Sequence, residues 1–97
     1  MFGIEKNVYR NLIEYFKEKN YIKKVLIFGS RAKGNYKYNS DIDLGILCER
    51  KYRGTVKEDI DEIIGVYSAD IVFLDSMNEE IKYQIERDGI EIYISGE

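Results

Sequence analysis

The chain has 97 residues, 44% of them hydrophobic and 34% charged, with a net charge of −3 and a pI near 5.1. That length fits one small domain, 1–97, with a modest core, and the composition excludes a disordered chain. The acidic balance argues against general nucleic-acid binding, which relies on surplus Lys and Arg, and no run approaches the roughly 20 apolar residues of a membrane span.

The first predicted element is an amphipathic helix over residues 5–19, with Val8, Leu12, Ile13 and Phe16 forming an apolar stripe at helical spacing. A short apolar run at 25–28 reads as a buried strand ending at Gly29, followed by one helical turn over 30–33 that Gly34 stops. Residues 35–40 form a polar loop, and 41–48 a second strand with Ile42, Leu44 and Ile46 on one face. Thr55-Val56-Lys57-Glu58 reads as a capping box opening a helix with Val56, Ile60, Ile63 and Ile64 as its stripe, up to Gly65. A third strand covers 69–74. Ser76-Met77-Asn78-Glu79 reads as a second capping box, opening a helix that stops at Gly89, and 90–94 closes the chain as a strand. The expected fold class is α+β, a mixed sheet of about four strands with helices packed on it.

The run GSRAKGNYKYNSDID, residues 29–43, carries the chemistry. Gly29 and Ser30 make a turn whose hydroxyl and backbone N–H groups can hold phosphate oxygens, with Arg31 and Lys33 placed to add positive charge. Asp41 and Asp43, one residue apart on an extended strand, project to the same side and can share a metal ion. A P-loop is excluded, because Asn35 and Tyr36 stand where the Lys and Ser/Thr after the second glycine belong.

Topology brings a third acid into reach. The link between the first two strands is too short for a parallel crossover, so they are expected to be antiparallel neighbours. The next link holds a full helix, so strands two and three are expected to run parallel and start at one sheet edge. Asp41, Asp43, Asp70 and the Gly29-Ser30 turn then converge there, whereas Asp75 lies at the far end. Three carboxylates together call for cations, and two Mg²⁺ ions bridged by Asp41 and Asp43 meet that need, with Asp70 completing one site.

Absences narrow the chemistry. With no histidine, a His-containing triad, a His-built zinc site and a His-dependent ribonuclease are excluded, and a carboxylate metal site points to Mg²⁺ or Mn²⁺. The single cysteine, Cys48, forms no internal disulfide and reads as a buried apolar residue in a cytoplasmic protein. Tyr36 and Tyr38 lie between the two phosphate-site elements, placed to stack on a base or meet a partner.

Gly-Ser, ten residues, then Asp-x-Asp resembles the signature of the minimal nucleotidyltransferases, small members of the DNA-polymerase-beta-like superfamily. Gly29, Ser30, Asp41 and Asp43 align with it without a gap, Asp70 is similar to the family's third carboxylate, and the likeness runs nearly the whole chain. The resemblance implies a nucleotidyltransferase that uses ATP and two Mg²⁺ ions. It also implies a partner: a helical HEPN protein, often a ribonuclease toxin, for which the small protein is an antitoxin that transfers AMP to a toxin tyrosine. Two alternatives stand beside this: the same chemistry on a small molecule with a helper subunit, as in aminoglycoside nucleotidyltransferases, or a non-catalytic antitoxin that acts by binding.

Overall fold

A computed structural model describes residues 1–96 and shows four strands and four helices: α1 (Lys6–Glu18), β1 (Ile22–Phe28), α2 (Gly29–Lys33), β2 (Ile42–Cys48), α3 (Arg53–Ile64), β3 (Ala69–Phe73), α4 (Glu79–Asp88) and β4 (Ile90–Ile94). The strands form one mixed sheet in the order β3-β2-β1-β4. β1 runs antiparallel to both β2 and β4, and β2 runs parallel to β3. This is the α+β architecture expected, with the expected strand directions.

Side-chain alternation in the strands decides which face each helix covers. Ile42, Leu44 and Ile46 of β2, with Val25 and Ile27 of β1, are fully buried together with Leu12 and Phe16 of α1 and Val56, Ile60 and Ile64 of α3. Burying an aliphatic side chain of this size contributes about 1.5–3 kcal/mol, so this apolar layer is the main source of stability. The opposite face of β2 presents Asp43 and Gly45. A side chain at Gly45 would meet Leu74 and Ile85, so the missing Cβ lets α4 pack close to the sheet.

Three local expectations are corrected. β1 begins at Ile22 and not at Val25, because Ile22 pairs with Cys48 while Lys23 stays exposed and Lys24 pairs its charge with Glu91. α3 begins before Thr55: a 3-10 turn, Arg50–Tyr52, feeds into it, and the Arg53 N–H bonds the Arg50 carbonyl, so the helix starts without a side-chain cap. α4 is capped by Asn78, whose Oδ1 accepts from the Ile81 N–H at 2.9 Å, whereas Ser76 Oγ accepts from Arg53 at 3.1 Å. Asn caps as well as Ser does, and the hydroxyl of Ser76 is already engaged.

These assignments separate two substitutions. Asn78→Ala should cost about 1 kcal/mol. In a domain of this size that lowers Tm by about 4–8 °C. Ser76→Ala should change Tm by much less. Thermal melts of the two variants check this, and equal losses would restore Ser76 as the cap.

Candidate active site

The site starts from a collision that glycine avoids. β1 ends at Phe28, which pairs across the sheet with Asp43 of β2. The next residue, Gly29, has φ +73° and opens α2. A Cβ at this position would overlap the Asp43 carboxylate. The left-handed backbone calls for glycine, and any Cβ here would also push the Asp43 carboxylate aside. Gly34, with φ 86°, ends α2 after five residues, and its N–H bonds the Ser30 carbonyl.

Parallel pairing adds the third acid. Asp43 stands opposite Asp70 in the β2–β3 register, so both carboxylates leave the sheet on the same side. Asp41 lies one residue before β2 and is exposed, as is Asp70, whereas Asp43 is half-buried. Asp75 sits beyond the other end of β3, in ion pairs with Arg53 and Arg50. Thus Gly29, Ser30, Asp41, Asp43 and Asp70 share one edge and Asp75 does not, as the expected strand directions require.

Electrostatics at this edge are unfavourable to the protein alone. Asp43 has its pKa pushed up from 3.8 to about 6, first by burial, then by the charges of Asp70 and Asp41, with Arg31 opposing. Among the described residues, no ion pair or side-chain hydrogen bond engages Asp41, Asp43 or Asp70. As the side chains stand, no three acidic, His or Cys groups among the described residues are gathered into a metal cage. The donor set nevertheless fits a hard divalent cation: uncommitted carboxylate oxygens whose mutual repulsion such a cation would relieve.

Arg31 departs from its expected place. Its guanidinium turns inward and is 1% exposed, spent on the backbone carbonyls of Phe2, Tyr38 and Ser40 rather than facing a phosphate. The rings of Tyr36 and Tyr67 lie over it, each with its centroid 5.3 Å from Cζ. Sequence reading missed this cage because its parts are scattered from Phe2 to Tyr67 and only tertiary contact joins them. Position on the turn gives no signal either: Ser30, the first polar side chain of α2, is half-buried and Lys33 is exposed.

Tyr38 is 89% exposed, whereas Tyr36 packs its ring over Gly3. A groove of about 420 Å³, within the size range of small-ligand sites, is lined by Tyr38, Ser40, Val66, Tyr67 and Ser68 where the chain enters β2 and β3, and none of the three acids lines it; another of about 400 Å³ is lined by Asp70 with Lys57, Glu58 and Asp61. A larger groove, about 610 Å³ between α1 and β4, likewise contains none of the acids. Burial pushes the Cys48 thiol pKa up, in keeping with its reading as a core residue. No helix among the described residues is long and apolar enough to cross a membrane.

Comparison with known proteins agrees with this geometry. Residues 10–97 match the family described as "Polymerase beta, Nucleotidyltransferase". Among solved structures, a chain of a toxin–antitoxin crystal structure with AMP-PNP superposes with a TM-score of 0.69 at 20% identity, covering 96% of this chain and 76% of that one. A chain of the tri-AMPylated Shewanella oneidensis HEPN toxin in complex with MNT antitoxin gives 0.61 at 18% identity, covering 88% and 69%. A minimal nucleotidyltransferase gives 0.65 at 23% identity, covering 84% and 87%. At these identities the likeness is one of fold. Among curated proteins none matches the sequence.

Two outcomes follow from the site. Below 3.8 Asp43 is protonated whether the chain is folded or not; between 3.8 and about 6 the folded state keeps a proton that the unfolded state has lost. Its contribution to stability therefore falls as pH rises through that window, and the full penalty persists above it. Asp43→Asn should raise the Tm of the metal-free protein above pH 6 and do so far less below pH 3.8; melts across this range would test it. Gly29→Ala should destabilise by about 1–3 kcal/mol through its left-handed backbone. It should also displace Asp43, so that Mn²⁺ binding by the folded variant weakens at least about tenfold, read by water-proton relaxation, a factor equivalent to about 1.4 kcal/mol.

Proposed function

The chain belongs to the polymerase beta nucleotidyltransferase family, and from that premise we propose that it transfers AMP from ATP to a tyrosine of a helical HEPN-type toxin, as that toxin's antitoxin. The observation that carries this is the in-register pair of Asp43 and Asp70 beside the Gly29-Ser30 turn, with Asp41 at the same edge. The toxin partner is supported by the structural neighbours, which include a HEPN toxin in complex with MNT antitoxin.

In this reading the acids and the Gly29-Ser30 turn divide the work. Asp41 and Asp43 would hold two Mg²⁺ ions between them, and Asp70 would complete one of the two sites. Bound there, the ions would supply charge neutralisation for the triphosphate and activate the attacking oxygen. Ser30, with the backbone N–H groups that follow it, binds phosphate oxygens and orients the chain of the triphosphate. The acceptor tyrosine oxygen attacks the α-phosphorus of ATP, the bond to the β-phosphate oxygen breaks, and pyrophosphate leaves. Asp70, exposed at the edge, accepts the proton of the tyrosine hydroxyl. The 420 Å³ groove beside Ser40 and Ser68 offers room for the nucleoside or the acceptor ring.

Incubation with ATP, Mg²⁺ and the partner toxin should raise the toxin's mass in whole AMP units, and chelation of the metal should stop it. Asp41→Asn combined with Asp43→Asn should abolish the mass change. If the toxin is still neutralised by that double variant, inhibition is by binding and the transfer reading is wrong.

A further inference from the structure

Arg31 is the largest fully buried side chain of the protein and carries a charge. Among the described residues nothing acidic pairs with it: its partners are three carbonyls from two separate segments. Nε and Nη2 both donate to Ser40 O, at 3.1 and 2.8 Å; Nη2 also donates to Tyr38 O at 3.2 Å, and Nη1 to Phe2 O at 3.0 Å. The Ser40 carbonyl belongs to the peptide that joins Ser40 to Asp41. A peptide group is planar, so two N–H groups gripping that oxygen also fix the position of the Asp41 Cα. Asp43 follows two residues later on the same strand. Around this grip the chain accepts strain: Phe2 has φ 57° although it is not glycine, and Gly3, with φ 71°, lets the Tyr36 ring lie against its backbone. Such conformations persist where their surroundings over-determine them, and here the surroundings are the Arg31 fork and its two aromatic lids.

We propose that Arg31 is a positioning residue: through the carbonyls of Ser40, Tyr38 and Phe2 it fixes the entry to β2 that aims Asp41 and Asp43, and it does not touch phosphate. This rests on the nucleotidyl-transfer reading only for what the acids are aimed at; the fixing itself needs no ligand. Lysine cannot replace it, because one ammonium cannot reproduce the planar fork that reaches all three oxygens.

Hydrogen exchange of Arg31→Gln, and of Arg31→Lys in case the first does not fold, tests the grip directly. The amides of Ser40 and Ile42, bonded to Lys37 O and Ser68 O, should exchange at least about tenfold faster in the variants. Those of Glu49 and Ser95, bonded at the far end of the sheet, should change much less. In parallel, the affinity for Mn²⁺ with AMP-PNP, measured by calorimetry on the folded protein, should fall at least about tenfold, equivalent to about 1.4 kcal/mol. Unchanged exchange at Ser40 and Ile42 overturns the proposal. So does a freed loop with unchanged affinity, and so does lost affinity with the loop still protected, which would mark Arg31 as a direct ligand. Should the wild type bind no Mn²⁺–nucleotide, the transfer reading fails while the exchange comparison still decides the positioning.

Discussion

The approach of the Asp43 carboxylate to the backbone of Gly29 is the constraint on which the rest of the site depends. Antiparallel pairing of Phe28 with Asp43 delivers the acid to the end of β1, and the chain has to turn there at once into α2. Any side chain at position 29 would occupy the space that the carboxylate takes. The glycine is therefore a statement about distance as much as about backbone freedom: it sets a carboxylate against a turn of N–H groups and a hydroxyl. Hydrogen-bond donors and carboxylate oxygens are thereby held side by side, which no single strand or helix could do.

This arrangement is costly in the protein alone. A half-buried carboxylate next to two others has its pKa raised by its surroundings, and among the described residues no cation is paired with any of the three. The nearest strong positive charge, Arg31, is turned away into a cage of carbonyls, so it moderates Asp43 from a distance without neutralising it. Hydrogen bonds to a charged group contribute about 1.5–3 kcal/mol each, which is how a buried guanidinium without an acidic partner is tolerated. Stability is thus concentrated in the apolar layer of β1, β2, α1 and α3, while the acidic edge is left with unsatisfied charge that a divalent cation can satisfy.

Much of the fold was legible because its signals are local. The apolar stripe of α1, the run Val25 to Phe28, the alternation of Ile42, Leu44 and Ile46, and the stops at Gly34, Gly65 and Gly89 all depend on residues within one element. Even the convergence of the acids followed from link lengths, since a short link and a helical link dictate strand direction. What escaped was set by contacts between elements. The early start of β1 comes from cross-strand partners. The cap of α4 is decided by Arg53 drawing off the Ser76 hydroxyl. The fate of Arg31 depends on carbonyls at positions 2, 38 and 40, which no window of sequence brings together. The acids at 41, 43 and 70 could be placed at one edge from sequence, but their degree of exposure could not.

Mixed topology is itself a requirement of such a site. In an antiparallel pair the end of one strand meets the start of the next, so β1 and β2 can join the Gly29-Ser30 turn to a pair of acids. A third antiparallel strand would begin at the opposite rim and carry its first acid away. Running β3 parallel to β2 puts Asp70 in register with Asp43, and the same direction sends Asp75 to the far rim, where arginines hold it. The parallel link costs a full crossover helix, and α3 repays this by supplying Val56, Ile60 and Ile64 to the core. One connection therefore both completes the acidic edge and builds the layer that keeps it in place.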